Sequence, residues 1–317
     1  MGAKGWRRNL LQISGVRKML GEKIMEKETE RWRKRRKYLL AYYTFRKYFP
    51  TPLLSFLRRY RTRKKWREEY PDVKVKENLW PDGTSSAFVL THDVESLSGV
   101  KMIDKIVKLE KDLGFRSSFN FVPERYPVPQ GLIDDLKSEG FEVGVHGLKH
   151  DGLLFLSRIV FERRMEKIRK YKEKWGAVGF RSPSTIRNPE WIKEIPFLYD
   201  SSFPDWDPLE PIPGGCMSIY PFMLGNVVEL PITLMQDHHL FIYLGRKDNE
   251  PWKRKFEWIR ERGGMSLLIV HPDYMDEERL SLYRDFLEYV KEYKDVWHAL
   301  PRKIAEWMIG KESTLKI

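Results

Sequence analysis

Beyond residue 85 the chain alternates between short apolar runs and longer amphipathic stretches. Seven runs have the length and composition of strands: SAFVLT (86–91), RSSFNFV (116–122), FEVGV (141–145), AVGFR (177–181), FLYD (197–200), NVVELPI (226–232) and SLLIV (266–270). Segments with helical spacing of apolar positions lie between most of them, at 99–113, 129–139, 155–175, 251–262 and 276–293. The stretch 203–225 is rich in Pro and Gly and reads as a long loop. Strands separated largely by helices point to a parallel sheet. Closing that sheet gives an α/β fold, a distorted (β/α) barrel of about seven parallel strands.

The residues ahead of this pattern behave differently. After Gly21 there is no Pro or Gly until Pro50, and TPLLSFLRRYRTRKKWREEY restarts beyond that break, so the first 70 residues read as helices. A polar, proline-marked connector, PDVKVKENLWPDGTS, follows. The expected division is a basic helical N-terminal segment, 1–70, and a barrel domain, 71–317, that folds without it.

Charge sharpens this division. Residues 1–70 hold 22 Lys+Arg against 6 Asp+Glu, a net of +16, whereas the whole chain carries +13. The barrel region is therefore slightly acidic, and the basic excess says nothing about its substrate. Basic helices interleaved with Trp6, Trp32, Tyr42, Phe45 and Phe49 suit an anionic membrane surface. A solvated arm packed on the barrel is the competing reading. No RNA- or DNA-binding motif is present, which argues against nucleic acid as the partner.

A length of 317 residues allows a large core. Cys216 is the only cysteine, so no internal disulfide can form, which agrees with a reducing compartment. The first twenty residues lack the apolar stretch and cleavage site of a signal peptide, and runs such as YLLAYY fall far short of the roughly 18 residues a spanning helix needs. The expected location is cytoplasmic, with attachment to a membrane surface as an option.

In a parallel barrel the loops after the C-terminal strand ends gather the chemistry. Here those ends carry His92, Asp93 and Glu95; His146 and His150; Arg181 and Pro183; Asp200; and His271 and Asp273. Two imidazoles and one carboxylate leave coordination positions free, the pattern of a catalytic metal, and a metal-held water has a lowered pKa. A second carboxylate can act as general base, kept ionised by Arg181. His271 is placed to protonate a leaving group. His92 alternates away from Asp93 on a strand and fits a packing role. His238 and His239, in LMQDHHLF, are candidates for the rim of the site.

The ordered set LTHDVES, HGLKH, RSPS, YDSS, ELP and LIVHP resembles the successive motifs of the polysaccharide deacetylase family, the NodB-homology carbohydrate esterases. The ending WHALPRKIAEWM is similar to the tail of many members, and the resemblance covers roughly 86–309. It implies a distorted (β/α) barrel, a divalent metal (Zn²⁺ foremost, with Co²⁺, Mn²⁺ or Ni²⁺ as alternatives) and hydrolysis of N-acetyl or O-acetyl groups on a glycan or sugar intermediate. Carried over by position, His146 and His150 are metal ligands, Asp93 the general base, Arg181 its partner and His271 the general acid. The first motif departs from the family's paired acids, since it reads Asp93-Val94-Glu95. Glu95, one methylene longer than the usual aspartate, is the expected third ligand, with Asp93 as the alternative. An acid that some members place after the fourth motif is replaced by Phe203. Asp200 is therefore the expected partner of His271 and a candidate substrate contact, and Trp206 and Tyr274 are placed to stack on sugar rings. Two rival readings stand beside this one: a catalytically inactive glycan-binding barrel that keeps the motifs, and an iron oxygenase with two histidines and a carboxylate as ligands.

Overall fold

The computed structural model describes residues 3–45, 56, 59, 60, 62–64 and 70–314. Phe49 and most of the second expected N-terminal helix lie outside the described residues, as does the side chain of Trp6.

Nine strands form one sheet. They are β1 (Ser86–Val94), β2 (Ser118–Phe121), β3 (Glu142–His146), β4 (Gly179–Arg181), β5 (Tyr199–Asp200), β6 (Phe222–Leu224), β7 (Val227–Glu229), β8 (Met265–Val270) and β9 (Val296–His298). The order is β6-β7-β5-β4-β3-β2-β1-β8, with β9 also paired to β1. Every pairing is parallel except β6 with β7. The seven expected strands are all present. Two more were not expected. β6 makes a short hairpin with β7 at the end of the segment read as a loop, and β9 is a partly exposed strand of three residues. A run of three residues carries too little pattern to register as a strand.

The sheet is buried on both faces. All nine residues of β1 and all six of β8 are buried, which is why they read as unbroken apolar runs rather than alternating ones. Helices Ile103–Leu113, Gln130–Ser138, Arg158–Trp175, Glu250–Arg260 and Glu277–Lys291 cover the outside. The circle closes irregularly between β7 and β8. The Leu234 N–H donates to the Leu267 carbonyl at 3.0 Å, the Thr233 hydroxyl donates to the Met265 carbonyl at 2.8 Å, and the Leu267 N–H donates to that hydroxyl at 2.7 Å. Side-chain bonds thus replace part of a strand ladder.

The N-terminal helix α1 (Ala3–Phe45) lies against this body. Ile24, Trp32 and Leu39 are buried in the common core, and Trp32 packs on Trp191 with ring centroids 5.6 Å apart. Gly152, at φ +78°, leaves room for the Tyr43 ring, since a Cβ there would come within 2.2 Å of it. The break in charge near Pro71 is therefore not a break in packing. Glu28 is 1% exposed and pairs with the fully buried Arg187 guanidinium, whose Nη1 also donates to the Thr185 carbonyl at 3.1 Å. Arg31 joins Glu28 and donates to the Gly215 carbonyl. No described helix is long and apolar enough to cross a membrane.

A buried ion pair costs far more to break than to omit, because the surviving charge is left desolvated. Glu28→Ala is expected to lower the unfolding free energy by about 3–5 kcal/mol in a denaturant titration, because Arg187 stays buried and unpaired. Glu30→Ala, which removes the exposed Lys34–Glu30 pair, should leave stability nearly unchanged. Equal losses would show that the buried pair does not anchor α1.

Candidate active site

Parallel register brings the polar strand ends to one level. Asp93 on β1 is the partner of Asn120 on β2, and His146 on β3 is the partner of Arg181 on β4. Around them opens a cavity of about 90 Å³. Asp93, Glu95, His146, His150, His271 and Tyr274 all line it.

Asp93 is 2% exposed. Its Oδ1 accepts from Asn120 Nδ2 at 2.9 Å, and its Oδ2 lies 3.7 Å from Arg181 Nη1 and 3.9 Å from His146 Nε2. Burial pushes a carboxyl up, but Arg181, His146, His271 and the Asn120 amide outweigh it and hold Asp93 below the usual carboxylate range. Arg181 is itself fixed from the far side, where Nη2 donates to Thr91 Oγ1 at 3.1 Å and Ser201 Oγ at 2.9 Å. The expected pairing of Asp93 with Arg181 is what the structure has.

Glu95, His146 and His150 bring one donor atom each within 4.8 Å of one another. The Nδ1 of His146 is 3.2 Å from the Arg181 carbonyl, which fixes the proton there and turns Nε2 toward the cavity as an acceptor. Burial, outweighing Asp93, lowers His146 to about 4, so its ring is neutral at ordinary pH. The Nε2 atoms of His146 and His150 are buried and make no hydrogen bond. Glu95 Oε1 lies 2.8 Å from His150 Nε2, yet the two are not aligned as donor and acceptor. Two buried imidazole nitrogens left without hydrogen-bond partners beside a carboxylate are what a divalent cation satisfies, so these three residues fit a metal.

Local backbone explains the arrangement. Gly147 has φ +62°, and a Cβ there would lie 2.6 Å from the Pro183 ring, so the second and third motifs interlock through this glycine. His150 holds φ +53°, a left-handed conformation costly for a side-chain-bearing residue and typical of sites where geometry matters. Glu95 is placed from the neighbouring β8 loop: its N–H donates to Asp273 Oδ2 at 2.8 Å, and the Ser96 hydroxyl donates to the same carboxylate.

His271 faces the cavity from the end of β8, its Nε2 3.9 Å from Glu95 Oε1. Its partner is Asp237, not the expected Asp200. Asp237 Oδ1 lies 2.6 Å from His271 Nδ1, and Oδ2 accepts the His271 N–H at 2.9 Å. Burial alone would lower His271, but the Asp237 carboxylate, helped by Glu95 and Asp93, raises it to about 10. Asp200 is turned away. It is fully buried, its Oδ1 accepts from the Ser202 hydroxyl at 2.7 Å, and its neighbour is Glu229. Burial and the adjacent Asp200 carboxyl push Glu229 well above the usual range, so this pair holds a proton between them. Trp206 also lies elsewhere, in a separate hollow with Tyr70, Asp205 and Lys255, because the Asp207–Gly214 bridge folds its loop back. Tyr274 is on the cavity wall, its ring 5.6 Å from that of His271. His92 is a core residue, bonded to Glu110 at 2.7 Å and stacked on Phe119. Asn120 and Asp237 are the site residues that motif reading overlooked; Asp273 stood among the strand-end acids, but with no role assigned to it. Asp237 was the most findable, an acid just beyond the strand that ends in ELP.

Replacing Asp237 by Asn should shift the His271 titration, followed by NMR on metal-free protein, down from about 10 toward the ordinary value of about 6.5. The folded-state value is the raised one, so the pair's stabilisation is complete below about pH 6.5 and is lost as pH rises through about 10. Asp237→Asn should thus cost more stability at pH 6 than at pH 10. A His271 titration that does not move would remove Asp237 from this role.

No family model matches the sequence, and no curated protein matches it. Solved structures do match. A protein from Mycobacterium smegmatis assigned as a polysaccharide deacetylase aligns with a TM-score of 0.58 at 19% identity, over 77% of this chain and 96% of its own. The PuuE allantoinase aligns at 0.59 with 17% identity, over 76% and 98%. A protein from Pseudomonas aeruginosa PAO1, likewise assigned as a polysaccharide deacetylase, aligns at 0.57 with 18% identity, over 73% and 93%. The chain therefore has the fold that these polysaccharide deacetylases share with the PuuE allantoinase, the distorted (β/α) barrel that its motif order implied.

Proposed function

We propose that this protein is a metal-dependent hydrolase that removes N-acetyl, or O-acetyl, groups from a glycan or sugar intermediate. The observation that carries the reading is the convergence of Glu95, His146 and His150 beside an ionised Asp93, with a protonated His271 on the same cavity. Glu95, His146 and His150 would hold a divalent ion, zinc being the first candidate for two imidazoles and a carboxylate. Such an ion, when bound, supplies Lewis acidity toward an acyl carbonyl and lowers the pKa of water.

The chain's own groups divide the proton work. Asp93 is ionised and accepts a proton from the attacking water; Arg181 and Asn120 keep it charged and oriented. His271 carries a proton at Nε2, facing the cavity, and delivers it to the departing amine or hydroxyl. Water adds to the carbonyl carbon, the carbon–nitrogen or carbon–oxygen bond breaks, and acetate and the free amine or alcohol leave. Asp237 keeps the Nδ1 side of His271 engaged, so that Nε2 is the donor. Tyr274 offers a ring face to a sugar.

The N-terminal segment belongs to the same proposal as an attachment to anionic membrane surfaces. Tyr38, Leu40, Phe45, Phe56 and Tyr60 stand 48–66% exposed in a strongly basic stretch, which supports this reading. Co-sedimentation with anionic vesicles should weaken as salt rises. Binding that is indifferent to salt, or equally strong to neutral vesicles, would exclude it.

The central test pairs metal content with turnover on a panel of acetylated sugars and allantoin, the latter included because an allantoinase shares the fold. Asp93→Asn should keep the metal and lose acetate release by about 10²-fold or more, since an amide accepts no proton. Glu95→Ala should lose the ion held at Glu95, His146 and His150, read as one equivalent fewer than the wild type, and Glu95→Asp should retain part of it. An Asp93→Asn protein that lacks that equivalent, beside an active Glu95→Ala protein, would make Asp93 the ligand and reject the assignment. Turnover of allantoin alone would keep the hydrolase and discard the sugar.

A further inference from the structure

A second group of donors borders the same cavity. Glu210 and His238 line it together with Glu95, His146 and His150. His239 follows His238 in a single π-helical turn, His238–Tyr243, a rare geometry that occurs mostly at functional positions. The two rings lie side by side, with centroids 4.1 Å apart.

His239 is the informative member. It is fully buried, yet neither ring nitrogen makes an aligned hydrogen bond. A buried imidazole ordinarily satisfies its ring nitrogens. Asp207 Oδ2 lies 3.1 Å from Nδ1, on one side of the ring, and Glu210 Oε1 lies 3.8 Å from Nε2, on the other. The second distance is too long for a hydrogen bond. It is close to the roughly 3.3–3.6 Å that separates two donors bound to one tetrahedral zinc. A carboxylate at one nitrogen and an ion at the other is how metal-binding histidines are commonly held. Gln236 Nε2 donates to Glu210 Oε1 at 2.5 Å, which immobilises that carboxylate. One donor atom each from Glu210, His238 and His239 lies within 4.8 Å of the others. His238 also lies near Asp237 and His271, but those two are committed to each other by bonds of 2.6 and 2.9 Å.

We propose that Glu210, His238 and His239 form a second divalent-cation site on the same cavity as Glu95, His146 and His150. Two imidazoles and a carboxylate suit zinc, cobalt or nickel rather than magnesium or calcium. Three protein donors leave a coordination position open for a substrate oxygen. The inference does not depend on which bond the enzyme breaks.

The test uses the full untagged chain, stripped with a chelator, reloaded with zinc, desalted and analysed for bound metal. The wild type should retain two equivalents. Glu210→Gln and His239→Ala should each retain one, as should His150→Ala through the other cluster, and His150→Ala with Glu210→Gln should retain none. If His239→Ala does not fold, the near-isosteric Glu210→Gln decides. Metal content unchanged by Glu210→Gln overturns the proposal whatever the total. A loss in His150→Ala alone marks the first cluster only and likewise overturns it. A loss in Glu210→Gln alone supports the second cluster and counts against the first.

Discussion

The site depends on keeping one carboxylate ionised where almost no water reaches it. Asp93 is 2% exposed, and a buried charge without compensation costs several kcal/mol or is neutralised by a proton. Arg181 provides the compensation, and it can do so only because Thr91 and Ser201 hold its other nitrogen in place. The same β4 residue uses its backbone carbonyl to fix the His146 tautomer. One strand end thus sets both the charge of the proposed base and the direction of a lone pair in the proposed metal site. Replacing the Arg181 side chain would strip Asp93 of that compensation, while the main-chain carbonyl that holds His146 would remain.

His271 is controlled by the complementary device. Asp93 is held ionised by a cation and His271 is held protonated by an anion, Asp237. Two groups of opposite charge, tuned apart by separate partners, face one cavity. That separation lets one accept a proton while the other gives one. The irregular closure between β7 and β8 makes it available, because the segment after β7 runs along β8 and delivers Asp237 to the start of the β8 loop.

Most of the barrel was legible because its strands are buried on both faces and bounded by turns, a pattern that survives without any tertiary information. Most of the candidate site residues were legible for a related reason, since polar groups at a parallel strand end stand directly behind an apolar run: Asp93 and Glu95 at the end of β1, His146 at the end of β3, Arg181 at the end of β4, His271 just past β8. What was not legible depends on contacts across the fold. Asp200 ends β5 in the same way as the cavity-lining residues end or follow their strands, but it sits beside Glu229 and not beside His271. Asp237 acts from a loop whose partner is far away in sequence, as does the contact of Asp273 with Glu95, and Trp206 is carried off by a bridge between loop residues. Charge counting placed a boundary at Pro71, whereas the buried Glu28–Arg187 pair ties α1 to the loop beside the cavity, a contact that no local pattern announces.

The account stands on Glu95, rather than Asp93, completing the ligand set with His146 and His150. Diffraction from zinc-loaded crystals at the zinc absorption edge addresses this directly. The account predicts an anomalous peak about 2.0–2.2 Å from a Glu95 carboxylate oxygen and from the Nε2 atoms of His146 and His150, with Asp93 outside bonding distance and still beside Arg181. A peak bonded to Asp93, with Glu95 swung away to Arg125, would contradict it.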